Sequence, residues 1–259
     1  MGNGFYTRRP PPFPGERVRI PVARIPLLAP RRRLGLPLAL FLLTVISTLF
    51  VGWHLTQAYA RGAPPYTEAI FSLQKMSQIL QNPGLLLAGW PFAVTLLGIL
   101  LAHELGHFFA CRRYGIVASF PYFIPFPSLI GTMGAFIQIR TPIVNRRALF
   151  DVGIAGPLVG FVLAVPALAI GMAYSKILPG AAQESAIVFG NPPLAWLFSK
   201  FFWPEVPVQD ILLHPVGRAA WVGLFATALN LLPVGQLDGG HIVYALAVRR
   251  HRLFSRVFL

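Results

Sequence analysis

Leu85 to Cys111 reads LLLAGWPFAVTLLGILLAHELGHFFAC. About 20 apolar residues suffice to cross a bilayer as a helix, so this run is long enough. Yet His103, Glu104 and His107 sit in its last third. On a helix, positions i and i+4 share a face, so His103 and His107 can present two imidazole nitrogens to one zinc ion. Glu104 sits beside the first ligand, where a carboxylate can take a proton from water activated by the metal. Chance supplies only about 0.003 such His-Glu-x-x-His matches in a chain of this composition. Each ionisable residue inside a span costs roughly 2.5–3.5 kcal/mol on insertion scales, and a bound divalent cation would offset much of that. A polar cluster in a proton pathway is the plainer alternative, but it does not require this spacing.

The rest of the chain fits a membrane protein. Of its 259 residues 55% are hydrophobic and 12% charged, about half the charged share of a soluble domain. The net charge of +14 lies in clusters between apolar runs, which does not make a nucleic-acid face, so no nucleic-acid partner is expected. Cys111 is the lone cysteine, which excludes a disulfide framework or an iron–sulfur cluster.

Residues 1–33 form a basic, Pro-rich tail, and 34–53 a first transmembrane helix. An outer loop covers 54–84, and the catalytic core is expected over 85–248. Within that core, 149–174 and 216–232 are further apolar runs, and 236–248 is a shorter half-span after the break at Pro233. The expected architecture is an all-α polytopic membrane protein. It has about four transmembrane helices, a broken half-helix and a membrane-associated β-hairpin. Segments 1–33, 112–147 and 249–259 carry +7, +5 and +4, whereas 54–84 and 175–216 carry +1 and −1. Four spans put the three basic segments on one side. The positive-inside rule makes that side cytoplasmic, with the N-terminus inside. Residues 249–259 are a basic C-terminal segment in which Leu253 to Leu259 turn apolar again.

A hydrolytic zinc usually has three protein ligands and one open position. The candidates for the third are Asp151, Asp238 and His241, the other titratable residues in or beside the core spans. Asp238 is preferred. Pro233 and Gly235 break the helix before it, and irregular backbone at membrane depth is tolerated where it lines a cavity. Asp151 falls near the start of the third span, where a carboxylate can cap a helix N-terminus. His241 shares a helix face with Asp238 and is expected beside the metal rather than on it. Gly156 and Gly160 have the spacing for close helix packing, with no chemistry assigned.

His103-Glu-Leu-Gly-His107, Asn230-Leu-Leu-Pro233 and Leu237-Asp238-Gly239 together resemble the site-2 protease family, the intramembrane zinc metalloproteases of peptidase family M50. Gly131 to Arg140 and Asn145 to Pro157 look like its bacterial and chloroplast branch. That branch includes the plant "ethylene-dependent gravitropism-deficient and yellow-green" proteins. The resemblance implies Zn2+ held by His103, His107 and Asp238, with Glu104 as catalytic base. It implies that Asn230 helps position substrate. It also implies that Gly131, Thr132 and Gly134 belong to a hairpin whose edge could pair with an unwound substrate, as strand addition allows.

The expected activity is hydrolysis of peptide bonds within or near transmembrane segments of single-span membrane-protein substrates. The expected place is the lipid bilayer of a bacterial inner membrane. The alternatives are a proteolytically inactive scaffold or chaperone homologue, and a metal or proton transporter. A soluble zinc peptidase is disfavoured by the motif's place in a span.

Overall fold

The computed structural model describes residues 34–66, 69–180, 190 and 192–246. The Pro-rich tail at 1–33 and the basic segment at 249–259 lie outside the described residues. Helix α1 (Gly35–Arg61) runs 27 residues, about 40 Å at 1.5 Å per residue, and so continues beyond Trp53. It buries Thr44, Thr48, Val51 and Leu55 while exposing Leu36, Leu38, Leu42 and Ile46. Apolar side chains on the outside and hydroxyls within suit a helix solvated by lipid. The two fully buried threonines are satisfied by their own helix: Thr44 and Thr48 donate to the carbonyls of Leu40 and Thr44.

The short helix α2 (Leu73–Gln81) is capped by the Ser72 side chain, which accepts from the Lys75 amide. A 3-10 segment (Pro83–Gly89) then leads into α3 (Trp90–Arg113), which carries the His-Glu-x-x-His motif. Strands β1 (Tyr122–Pro125) and β2 (Thr132–Phe136) form an antiparallel hairpin pairing Tyr122 with Phe136 and Phe123 with Ala135. Its register shifts between Phe123 and Pro125.

Helix α4 (Arg146–Ala173) starts after Asn145, whose side chain accepts from the Arg147 amide. The expectation that Asp151 caps this span is therefore corrected. Asp151 lies about a turn and a half inside the helix, where it accepts from the Tyr114 hydroxyl and faces Arg147 at 4.0 Å. Strands β3 (Lys176–Ile177) and β4 (Ile211–Leu212) pair as a second small antiparallel sheet, with α5 (Pro193–Phe202) between them in sequence. Helix α6 (Pro215–Asn230), a turn-rich break at 231–237 and α7 (Asp238–Leu246) complete the described chain.

Helix α3 packs most extensively on α4, α6 contacts both, and α7 lies against α4. One apolar cluster joins α1, α3 and α6 through Val51, Leu55, Phe92, Leu96 and Ala219. A second joins α3, α4 and α6 through Ile99, Ala164, Leu168 and Ala220. The protein is thus mostly helical, with two small sheets. Among the described residues three helical stretches are long and apolar enough to cross a membrane: Gly35–Arg61, Pro83–Arg113 and Arg146–Ala173. Helix α6, with 16 residues, reaches about 24 Å, short of a hydrocarbon core of about 30 Å. The chain breaks at Leu231 before a full crossing is made.

Candidate metal centre

His103 and His107 both point from α3 into the bundle and are buried, as is Glu104. The two imidazole Nε2 atoms stand 3.1 Å apart. Asp238, the first residue of α7, brings its Oδ2 to 3.2 Å from each of them. Among the described residues these three form the one group of His, Cys, Asp and Glu side chains whose ligand atoms all lie within 4.8 Å of one another. A tetrahedral zinc with bonds of 2.0–2.2 Å needs ligand atoms about 3.3 Å apart. The observed separations fit that need, and two imidazoles with one carboxylate form a donor set that zinc accepts. Three partly cationic or anionic groups pressed together in an apolar bundle would otherwise be costly.

Backbone from α4 sets the imidazole geometry. His107 Nδ1 donates to the Val152 carbonyl at 2.7 Å. A carbonyl can only accept, so the proton sits on Nδ1, and Nε2 keeps its lone pair for a metal. The ring lies over Gly156, where an added Cβ would come within 2.1 Å of Nε2. Gly160 does the same service for His103, less tightly, at 3.2 Å from its Cβ. The small-residue spacing therefore does allow close packing, and what it packs against is the histidine pair itself.

A cavity of about 220 Å³ opens onto this group. Glu104, Asn230, His241 and Gln236 line it, together with Ala135, Phe136 and Ile137 from the end of the hairpin. The Asn230 amide comes within 3.4 Å of His103 Nε2, at the C-terminal end of α6. The Ile137 backbone amide faces the Glu104 carboxylate. His241 lines the cavity one turn along α7 from Asp238 but is not in the three-membered group. Asp151 is held by Tyr114 instead.

Gly131, Thr132 and Gly134 are elsewhere on the hairpin. Gly131, at φ +79°, presses against α1, where a Cβ would meet the Ser47 carbonyl at 2.7 Å, and its own carbonyl accepts from the Ser47 hydroxyl at 2.6 Å. Thr132 is buried and donates to the Ile124 carbonyl at 2.8 Å. These residues fix the hairpin's shape and its seat. The segment that reaches the cavity, Ala135 to Ile137, is apolar and carries no signal that sequence reading could have singled out.

A family model described as Peptidase family M50 matches residues 91–258. Among curated proteins, the chain is 38% identical over 162 residues to "Probable zinc metalloprotease EGY1, chloroplastic" of Arabidopsis thaliana, covering 60% of this chain and 29% of that protein. It is 33% identical over 221 residues to the protein of the same name from Oryza sativa subsp. japonica, covering 78% and 36%. It is 33% identical over 171 residues to "Probable zinc metalloprotease EGY2, chloroplastic" of Arabidopsis thaliana, covering 65% and 31%. The matched region spans about a third of the length of these relatives.

Proposed function

The chain belongs to peptidase family M50, and on that premise we propose that it is an intramembrane zinc metalloprotease cleaving peptide bonds within or near the transmembrane segments of single-span membrane proteins. The observation that carries this reading is the convergence of His103, His107 and Asp238 at ligand spacing, with Glu104 on the same cavity. Relatives whose names include "zinc metalloprotease" support the choice of metal.

His103, His107 and Asp238 hold the zinc. When bound there, zinc supplies Lewis acidity toward a water and toward the scissile carbonyl. Glu104 takes the proton from the attacking water and returns it to the leaving amine. The Asn230 amide, beside His103, is placed to donate to the oxygen that gains charge as the carbonyl is attacked. The substrate must be extended at the scissile bond. Among the described residues β2 pairs only with β1, so the strand edge running into Ala135–Ile137 can accept an unwound segment by strand addition. Gly131, Thr132 and Gly134 serve that contact by holding the hairpin in place.

Water reaches the site from the nearer membrane face. His103 is ten residues from Arg113, about 15 Å along the helix. We read α6, the break and α7 as a fourth, interrupted crossing. The N-terminus then lies in the cytoplasm of a bacterial inner membrane, which the basic charge of 1–33, 112–147 and 249–259 supports.

The experiment is cleavage of a panel of single-span substrates by the purified chain in detergent. Glu104→Gln is expected to lower cleavage by at least about 100-fold, the lower bound for losing a general base, with zinc content unchanged. Cleavage that survives this substitution would remove the mechanism.

A further inference from the structure

Helix α2 sits outside the metal site and outside both apolar clusters, and its side chains are sorted by face. Leu73, Met76, Ile79 and Leu80 fall on one side at helical spacing. Gln74, Ser77, Gln78 and Gln81 fall on the other. Ile79 alone packs toward the α1–α3–α6 cluster. Leu73 is 88% exposed, Leu80 80% and Met76 50%. The substantial packing partner of α2 is the 3-10 segment that runs directly into α3. Leu87, Trp90 and Val94 continue an exposed apolar surface from that segment down α3, which is among the helices long enough to cross a membrane.

We propose that α2 is an in-plane anchor: it lies in the bilayer interface at the end of α3 opposite Arg112 and Arg113, with Leu73, Met76 and Leu80 inserted among the lipid chains. The occupant of the apolar face is phospholipid. Three features select it. The face is continuous with apolar surface on a membrane-crossing helix. Nine residues cover about 13 Å, too short to cross but suited to lie flat. Trp90, at the junction, has the amphipathic ring that favours the interface. The consequence reaches the metal site. From Trp90 to His103 is 13 residues, about 20 Å of helix, so an anchor at Trp90 holds His103 in the far half of a hydrocarbon core of about 30 Å.

Single cysteines introduced at 73, 76 or 80, and at 74 or 78 for comparison, carry an environment-sensitive fluorophore on the full chain in phosphatidylcholine–phosphatidylglycerol vesicles. Native Cys111 is buried, so labelling proceeds with it in place, and a Cys111→Ala version checks this. Probes at 73, 76 and 80 are expected to shift to the blue and to be quenched several-fold more by doxyl-labelled lipid than those at 74 and 78. Equal quenching on both faces would overturn the anchor. So would cross-linking of position 80 between two copies, which would make a second protein the occupant. The readout does not involve cleavage, so its failure leaves the protease reading standing, and an inactive protein leaves the anchor standing.

Discussion

The two halves of α3 share one helix and differ in what surrounds them. From Trp90 to Leu101 the buried residues are Phe92, Ala93, Leu96, Leu97 and Ile99. They meet side chains of α1, α4 and α6. From His103 onward the buried residues are His103, Glu104, Gly106, His107 and Cys111. They meet backbone of α4 and the first residue of α7: the Val152 carbonyl, the bare Cα atoms of Gly156 and Gly160, and the carboxylate of Asp238. The first half is held by shape, which tolerates small readjustments. The second is held by fixed backbone atoms, which do not move without moving α4. That contrast explains how one helix both anchors the bundle and keeps three polar side chains in register.

Substitutions separate the two halves by what they change, and the largest effect is expected at Asp238. Asp238→Ala removes a ligand and should lower zinc retention during chelator dialysis by more than the 10–100-fold typical of losing a mere supporting contact. Retention at the original level would shift the assignment to His241, which lines the same cavity. Gly156→Ala places a methyl where the His107 ring lies, and zinc affinity should fall by about 10–100-fold while helix content is kept. Gly160→Ala should cost less, because its neighbours are further away. In the other half, Phe92→Ala opens a cavity and should destabilise the fold by about 3–5 kcal/mol, with zinc stoichiometry of the folded fraction unchanged. If Phe92→Ala weakened zinc binding as much as Gly156→Ala does, the division between the halves would be wrong.

The smallest expected effect lies at the far end of the bundle. His214 caps α6, its Nδ1 accepting from the Val216 amide at 3.3 Å. Burial, and then the charge of Lys176, hold its pKa below the ordinary value of 6.5. The folded chain therefore binds this proton less readily than the unfolded one. The stability it contributes is complete above about pH 6.5 and is lost as pH falls through the lowered native value. His214→Asn keeps a cap acceptor and should flatten the melting temperature between about pH 8 and 5. An unchanged acid slope would assign it to other groups.

Much of the site was legible because it is local. His103, Glu104 and His107 fall about one helical turn apart, and the Pro233–Gly240 break marks Asp238 as a candidate arm in an otherwise apolar region. The helical class follows equally from apolar runs with few charges. What the sequence could not show depends on which atoms meet across elements. That Asn145, rather than Asp151, caps α4 turns on the helix starting at Arg146, ahead of the apolar run that opens at Leu149. That Gly156 seats His107, and that Ala135–Ile137 reach Glu104, are results of packing between segments tens of residues apart. The shortness of α6 follows from where the backbone turns at Leu231, which an apolar run extending to Leu232 conceals.

Zinc-edge X-ray absorption on the purified full chain tests the metal centre most directly. Four-coordinate zinc with two imidazole nitrogens and a carboxylate oxygen at about 2.0–2.2 Å, the oxygen being lost in Asp238→Ala, is the expected result. A six-coordinate shell of water oxygens, or a spectrum that Asp238→Ala leaves unaltered, would contradict it.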